Sequence, residues 1–314
     1  MSRVLPFLCA PSYPFAEPWL AALRAAMPNE TIVPFDALDA AARAACDVAI
    51  VANPRPEDVS ALPNLKWVHS VWAGVERLMA DLPDNGLRIV RLVDPQLADT
   101  MAEAVLAWTM YLHRDMPRYA QQQAARQWIA HDYTRPAGKT VALLGLGALG
   151  EAAAQRLLAA GFQVSGWSRT RKALPGVRCY AGADELPEML ASADILVCLL
   201  PLTPHTRGIV DAAALAALPE HAALINFARG PIVDDAALRA ALDSARLSHA
   251  VLDVFDREPL PEDSWHWAHA RVTVLPHISA PTDRETASAI VAGNIARYRA
   301  TGEMPAAVQR ALGY

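Results

Sequence analysis

The chain has 314 residues, a formal charge of −5 at pH 7 and 53% hydrophobic residues, which is typical of a globular protein long enough for two domains. The slight acidity and the lack of a basic stripe argue against nucleic-acid binding. No uninterrupted apolar run reaches the roughly 18 residues that a membrane-spanning helix needs. The four cysteines are scattered and form no Cys-x-x-Cys pair, so we expect a cytoplasmic protein.

The first hundred residues predict a small α/β domain. The predicted elements are strands at residues 4–9, 31–34, 46–52 and 65–71 and a helix at residues 18–26. The last of these strands leads into residues 72–76, Trp-Ala-Gly-Val-Glu, a glycine turn that opens a helix. Such a turn can present consecutive N–H groups to an anion. A plain strand-to-helix turn would show the same pattern.

A long helix at residues 99–114 is predicted to cross into a second domain that opens with a G-x-G-x-x-G motif. The motif consists of Gly145, Gly147 and Gly150, with Ala148 and Leu149 between them. The elements around it are a strand at residues 141–144, a helix at 151–160 and a strand at 162–167. This order predicts a dinucleotide site, with the pyrophosphate against the glycines and the helix N-terminus. The alternative is a glycine turn that binds nothing.

The end of the second strand of this unit indicates which dinucleotide is bound. A cofactor without a 2′-phosphate would require Asp or Glu there, to bind the ribose hydroxyls. This chain has instead Ser168, Arg169, Arg171 and Lys172, a hydroxyl and three cations with no acid. The pattern favours NADPH over NADH, and a solvated basic turn is the alternative.

The rest of the second domain predicts a doubly wound parallel sheet, because strands and helices alternate. The further strands are predicted at residues 195–200, 223–227, 250–255 and 272–275, with helices at 211–217 and 234–245. A final helix at residues 283–300 is placed to return to the first domain. Pro201 and Thr206 follow the first of these strands and are candidate cofactor-binding residues.

Charged side chains follow the remaining strands of this sheet. Arg229, Asp253, Glu258 and His277 each come just after an apolar run. In open α/β sheets, ligands bind outside the carboxyl ends of the strands. The set suits hydride transfer to a carbonyl, with His277 as proton donor, Glu258 holding the imidazole charged and Arg229 binding an anionic substrate.

Each of these residues has a simpler interpretation. Arg229 could be a surface ion-pair residue, Glu258 a loop acid and His277 a histidine satisfied at a strand end. A chance origin explains each residue alone much better than it explains all three residues following strand ends together. His266 and His269 have His-x-x-His spacing but no accompanying ligand set, so we predict a structural role for both and no metal site.

These motifs resemble the D-isomer-specific 2-hydroxyacid dehydrogenases over essentially the whole chain. The matching segments are residues 72–75, 145–150, 200–203, 225–230, 252–255, 258–261 and 276–278. The runs at residues 167–172 and 276–282 are most similar to the NADPH-preferring glyoxylate/hydroxypyruvate reductases.

The resemblance implies a Rossmann cofactor domain, residues 99–281, inserted into a flavodoxin-like substrate domain, residues 1–98 plus 282–314. It implies Arg229, Glu258 and His277 as the catalytic set and Asp253 near the nicotinamide amide. It also implies a homodimer joined through the cofactor domains. The substrate carboxylate is expected on the N–H groups of Ala73, Gly74 and Val75, together with Arg229 and His277 in the substrate site.

Two departures from the family pattern bear on the substrate and the cofactor. Many relatives carry Gly or Ala where Trp72 stands and Asp where Glu76 stands, so Trp72 could narrow the pocket. The Asp or Glu that NAD-using members carry at the end of the second strand of the dinucleotide unit is absent. Glu258 also disfavours formate dehydrogenases, which would have Gln there.

The sequence therefore predicts an NADPH-dependent reductase of small 2-keto acids, glyoxylate and hydroxypyruvate first. The alternatives are an NAD-linked dehydrogenase of another D-2-hydroxy acid, of the phosphoglycerate type, and a dinucleotide-sensing corepressor that keeps the fold to bind partner peptides.

Overall fold

The computed structural model describes residues 4–310, which form two compact units. The first unit contains the chain up to Gln96 together with the chain from Thr282 onward, and the second is Leu97–Pro281. Each unit is built on its own parallel sheet, of five and seven strands. The predicted α/β class with two doubly wound parallel sheets is confirmed. Within the described residues, no helix is both long and apolar enough to cross a membrane.

The first unit alternates short strands and helices. Its elements before the second unit are β1 (Val4–Cys9), α1 (Ala16–Ala26), β2 (Thr31–Pro34), α2 (Ala40–Ala45), β3 (Val48–Ala52), α3 (Pro56–Ser60), β4 (Trp67–Ser70), α4 (Glu76–Asp81) and β5 (Arg88–Val90). The strand order is β2-β1-β3-β4-β5. Every residue of the central strand β3 is buried, as expected for a parallel strand covered on both faces.

The second unit carries the longer sheet. The remaining elements are α5 (Pro95–His113), α6 (Met116–Ala124), β6 (Thr140–Leu144), α7 (Ala148–Ala159), β7 (Gln163–Ser168), β8 (Val177–Ala181), α8 (Gly182–Leu190), β9 (Ile195–Cys198), α9 (Ala212–Ala217), β10 (Ala222–Asn226), α10 (Asp235–Asp243), β11 (Leu247–Leu252), β12 (Val272–Val274) and α11 (Arg284–Thr301). The last of these, α11, belongs to the first unit.

The sheet of the second unit, at which the candidate site lies, has the strand order β12-β11-β10-β9-β6-β7-β8. From β6 the chain winds outward through β7 and β8, then returns to β9 beside β6 and winds the other way. Ligands bind at such a switch point, outside the carboxyl ends of the strands. The turn after β6 and the loop after β9 therefore lie where a dinucleotide is expected.

Helix α11 is tied back to the sheet of the first unit by a nearly buried charge network. Arg299 Nη1 lies 2.8 Å from Asp47 Oδ1, and its Nε lies 3.5 Å from Glu30 Oε1. Tyr298 donates its hydroxyl to the other oxygen of Asp47 at 2.9 Å. Residues at the two ends of the chain thus fold into one unit.

Candidate active site

The three glycines after β6 are needed for different reasons. Gly145 has a φ of 115°, and a Cβ there would come within 3.0 Å of the Leu199 backbone. A Cβ on Gly150 would lie 1.9 Å from the Gly145 carbonyl oxygen, so helix and turn could not pack. A Cβ on Gly147 would meet no protein atom within 4 Å. The protein's own packing requires the first and third glycines, and the space over Gly147 fits a ligand that approaches the backbone.

That space faces the start of α7, a helix of 12 residues that begins at Ala148. Its N-cap is Gly147, and no side chain caps the first N–H groups. Free N–H groups and the positive end of a helix dipole bind phosphates. The turn therefore fits the pyrophosphate of a dinucleotide, as the motif predicts.

The end of β7 carries the basic turn that the sequence links to NADPH. Ser168 donates its hydroxyl to the Thr170 carbonyl at 2.8 Å, which folds the turn back on itself. Arg169 is exposed. This hydroxyl and this guanidinium lie where the ribose of a bound dinucleotide is expected in such a sheet.

The other two cations of the turn have carboxylate partners. Arg171 pairs with Glu185 at the start of α8, and Lys172 Nζ lies 3.3 Å from Glu151 Oε1 on α7. The partners are 14 and 21 residues away along the chain, so the sequence did not reveal these pairs. Arg171 and Lys172 are thus partly neutralised within the protein.

Thr206 shapes the loop after β9. Its buried hydroxyl donates to the Pro201 carbonyl at 2.6 Å and accepts from the Thr203 N–H at 2.8 Å. The hydroxyl is therefore occupied by the loop itself. A contact of Pro201 or Thr206 with a cofactor remains a prediction.

His277 and Glu258 form a close pair at the carboxyl edge of the sheet. His277 Nδ1 lies 2.7 Å from Glu258 Oε2, and the other carboxylate oxygen accepts the Phe255 N–H at 3.0 Å. One oxygen of Glu258 thus holds the imidazole ring, and the other fixes Glu258 itself. No described residue hydrogen-bonds to His277 Nε2, and the side chain is 52% exposed. The second ring nitrogen is therefore available to a substrate.

The charges around this pair favour a protonated imidazole. The pKa of His277 is raised by its hydrogen bond to Glu258 and by the carboxylate charges of Glu258 and Asp253, which together outweigh the lowering by burial and by the Arg229 charge. Burial alone would raise the pKa of Glu258. Its bonds to His277 and the Phe255 N–H, with the nearby Arg229 charge, bring that pKa below its usual value instead. The pair suits a general acid held by an ionised carboxylate.

Asp253 fixes the backbone on the other side of His277. The carboxylate is 2% exposed and accepts the N–H groups of Ile278 at 2.7 Å and Ser279 at 2.9 Å. His277 itself has a φ of 55°, in the left-handed region that non-glycine residues rarely adopt. Such a conformation persists when its surroundings hold it. Asp253 is thus a positioning residue, and its expected place near the nicotinamide amide remains a prediction.

Arg229 follows β10 in a loop that is built against the Glu258 loop. Buried Asn226 accepts the Ala228 N–H and donates to the Arg229 carbonyl, both at 3.1 Å. A Cβ on Gly230 would lie 2.1 Å from the Phe255 carbonyl carbon, so the two loops are in direct backbone contact. This contact brings Arg229 beside the His277–Glu258 pair. The Arg229 charge lowers the pKa of both His277 and Glu258, as expected for a neighbouring cation.

The sequence did not identify Asn226 or Phe255 as part of the site. Asn226 is a polar residue at the end of an otherwise apolar strand, which is a usable signal. Phe255 gave none, because its contribution is a backbone N–H and a backbone contact.

The histidines of the His-x-x-His segment pair with carboxylates of α10, His266 with Asp235 at 2.9 Å and His269 with Asp243 at 3.2 Å.

The glycine turn of the first unit presents three consecutive N–H groups. Those of Ala73, Gly74 and Val75 have no hydrogen-bond partner among residues 4–310. The preceding residue is fixed by its N–H bond to Ser70 Oγ at 3.0 Å. Consecutive free N–H groups of this kind fit an anion such as a carboxylate.

A dinucleotide turn and a histidine–carboxylate pair at the carboxyl edge of one parallel sheet are the arrangement of a nicotinamide-dependent dehydrogenase. Residues 106–279, more than half of the chain, match the family model of the D-isomer specific 2-hydroxyacid dehydrogenase NAD binding domain. The chain belongs to this family, as its motifs predict, and is an NAD(P)-dependent 2-hydroxyacid dehydrogenase.

Solved structures similar to this chain include three bacterial relatives. A D-isomer specific 2-hydroxyacid dehydrogenase from Xanthobacter autotrophicus Py2, in complex with NADPH and MES, is 40% identical over 100% of both chains, with a TM-score of 0.92. An NADPH-dependent glyoxylate/hydroxypyruvate reductase from Sinorhizobium meliloti, with NADP and sulfate, is 34% identical over 100% of both chains (TM-score 0.90). A probable 2-hydroxyacid dehydrogenase from Rhizobium etli CFN 42, with NADP, HEPES and L(+)-tartaric acid, is 32% identical over 99% of both (TM-score 0.87).

Proposed function

We propose that the protein reduces small 2-keto acids with NADPH, glyoxylate to glycolate and hydroxypyruvate to D-glycerate. The observation that carries this proposal is the His277–Glu258 pair beside Arg229, with the second nitrogen of His277 available. The Sinorhizobium meliloti relative, an NADPH-dependent glyoxylate/hydroxypyruvate reductase, supports this choice of substrates.

The chain's own residues would divide the work as follows. When bound, NADPH supplies the hydride that is added to the keto carbon. His277, protonated at Nε2, donates a proton to the keto oxygen as negative charge develops there. Arg229 binds the carboxylate and polarises the keto group, and Glu258 keeps the imidazole charged and oriented. A 2-hydroxy acid leaves, and His277 regains its proton from solvent.

The carboxylate of the substrate would also bind to the free N–H groups of Ala73, Gly74 and Val75. Three backbone donors bind an anion without a buried side-chain charge. A substrate held in this way presents its keto group in a fixed orientation, which favours attack by hydride.

Glu258→Gln should shift the alkaline limb of kcat for keto-acid reduction to lower pH. Glu258 raises the pKa of His277, so the donor stays protonated to higher pH in the native protein. Glutamine removes the charge, and it has only one acceptor oxygen for the two donors that Glu258 binds. The measurement is kcat against pH with saturating NADPH.

The matched control is Glu262→Gln, which removes an exposed carboxylate from the same loop. It should leave the pH profile unchanged. An alkaline limb at the native position in Glu258→Gln would refute the assigned role.

We propose NADPH rather than NADH as the preferred cofactor. Ser168 ends β7 and the exposed Arg169 directly follows it, so these two groups of the basic turn lie where the ribose of a bound dinucleotide is expected. The phosphate carries nearly two negative charges, and a guanidinium can meet two of its oxygens at once. The Xanthobacter relative was crystallised with NADPH.

Arg169→Ala should weaken NADPH use by roughly 10- to 150-fold while barely changing NADH use. A hydrogen bond to a charged group contributes about 1.5–3 kcal/mol, and NADH has no phosphate at that position. The measurement is kcat/KM for each cofactor at a fixed keto acid. Lys172→Ala is the control and should have the smaller effect. An equal loss for both cofactors would show that the turn does not select between them.

The proposed activity is tested with a panel of 2-keto acids and both cofactors. Oxidation of NADPH by glyoxylate or hydroxypyruvate, with D-glycerate as the product of the latter, is the expected result. Tight NADPH binding without turnover of any keto acid would refute it, and would favour the dinucleotide-sensing corepressor.

We also propose a homodimer joined through the cofactor-binding unit. Large exposed apolar side chains are concentrated in and just after α6, and they include Met116, Tyr119, Trp128, Ile129 and Tyr133. Trp128 is fully exposed at 102%. Such a concentration is typical of an interaction surface. Light scattering should give twice the mass of the chain.

A further inference from the structure

An aromatic cluster in the first unit holds the side chain of Trp72 in one orientation. The Trp72 ring packs edge-on against Trp19, with centroids 5.6 Å apart, and against Tyr13 at 6.3 Å. Trp19 is 1% exposed and donates its indole N–H to the Tyr13 hydroxyl at 3.1 Å. The two neighbours of Trp72 are therefore linked to each other as well, which leaves its indole little freedom to rotate.

The backbone of Trp72 is held too. Its N–H donates to Ser70 Oγ at 3.0 Å, and its carbonyl accepts the Leu92 N–H at 3.0 Å. Tyr13 follows β1 and Trp72 follows β4, so both lie at the carboxyl edge of the same parallel sheet. Trp72 is only partly buried as a residue, although its indole nitrogen is buried.

The three free N–H groups of the first unit begin at the very next residue. In a 2-keto acid, the side chain is attached to the keto carbon, which is bonded directly to the carboxylate. If Ala73, Gly74 and Val75 bind the carboxylate, the side chain is therefore close to them. A large substituent on the keto carbon would therefore lie near the turn, and Trp72 is the residue that precedes the turn. The ring at that position cannot move aside without breaking its contacts with Trp19 and Tyr13.

We propose that Trp72, braced by Tyr13 and Trp19, limits the size of the substrate's side chain. It admits the hydrogen of glyoxylate and the hydroxymethyl group of hydroxypyruvate and excludes aromatic and branched side chains. This inference rests on the proposed function and adds to it the residue that sets the substrate class.

The experiment compares kcat/KM for hydroxypyruvate and phenylpyruvate, with NADPH, in the full-length protein. The native protein should favour hydroxypyruvate. Trp72→Ala should raise the phenylpyruvate-to-hydroxypyruvate ratio by about 10- to 200-fold, the range that a change of fit in an apolar pocket gives. Trp72→Phe, which keeps a smaller ring, should give an intermediate ratio and also serves if the alanine variant does not fold.

Phe15→Ala is the matched control. Phe15 contacts Tyr13 edge-on at 5.9 Å and is 51% exposed, but it is not adjacent to the turn. Removing it should leave the ratio of the two substrates unchanged.

The possible outcomes separate this inference from the proposed function. Native protein that uses phenylpyruvate as well as hydroxypyruvate overturns the inference alone. So does an unchanged ratio in the folded Trp72 variants, or a shift of equal size in Phe15→Ala. No turnover of any 2-keto acid by the native protein overturns the proposed function, and the inference with it.

Discussion

His277→Ala should lower kcat for keto-acid reduction by about 10²–10⁴-fold, the usual contribution of a positioned general acid. The imidazole is the donor at the sheet edge whose pKa is raised and whose second nitrogen is available to a substrate. Without it, the proton must come from water while charge develops on the keto oxygen. The affinity for NADPH should change little, because the dinucleotide turn lies after a different strand. The measurements are steady-state kcat and the dissociation constant of NADPH.

The control for this variant is His269→Ala. His269 is also paired with an aspartate, at 3.2 Å, and among the described residues no hydrogen bond or ion pair joins it to Glu258 or His277. It should keep nearly full activity. Added imidazole should restore part of the rate in His277→Ala, because it can enter the space left by the side chain. Activity within a few-fold of native in His277→Ala would remove His277 from the mechanism.

Arg229→Lys should lose about 10²–10³-fold in kcat/KM, the range for removal of one donor from a site that stabilises developing charge. Lysine keeps the positive charge but lacks the planar fork that binds a carboxylate with two parallel hydrogen bonds. It also cannot reproduce the geometry in which Arg229 Nη1 donates to the Ala228 carbonyl at 2.6 Å. The measurement is kcat/KM for hydroxypyruvate with saturating NADPH.

Arg257→Lys is the control for the same arginine-to-lysine change at this edge, since Arg257 is an exposed cation in the Glu258 loop. It should behave like the native protein. If Arg229→Lys were equally active, a point charge would be enough there and the fork would have no role.

The sequence predicts the parts of the fold that depend on local pattern. The buried strands are visible as apolar runs, and the glycine motif, read with its flanking elements, identifies the turn at the switch point. Edge strand β5 was missed, because its three residues give no pattern to detect. Helix α6 was also missed, since its residues are mostly polar and only Gln122 is buried. Helix α5 starts at Pro95 rather than at the predicted residue 99. At this observed start, Asp94 accepts the Gln96 N–H at 2.9 Å.

The candidate site was predictable to the extent that strand ends determine it. Arg229, Glu258 and His277 each follow a recognisable strand, and parallel strands bring their carboxyl ends to one edge. What could not be predicted is how the loops fix these side chains. The two N–H bonds to Asp253 and the pairing of Arg171 with Glu185 join residues that are far apart in the chain, and no local pattern encodes them.

The backbone contact between Gly230 and Phe255 joins the loop that carries Arg229 to the loop that carries Glu258. Phe255 donates to Glu258, and Gly230 directly follows Arg229. A shift of either loop would therefore carry the other with it. The relative placement of the two charges is set by folding, before any substrate arrives, so little reorganisation accompanies the reaction itself. Conformational fluctuation at this edge should then move the guanidinium and the carboxylate together and leave the distance between them nearly constant.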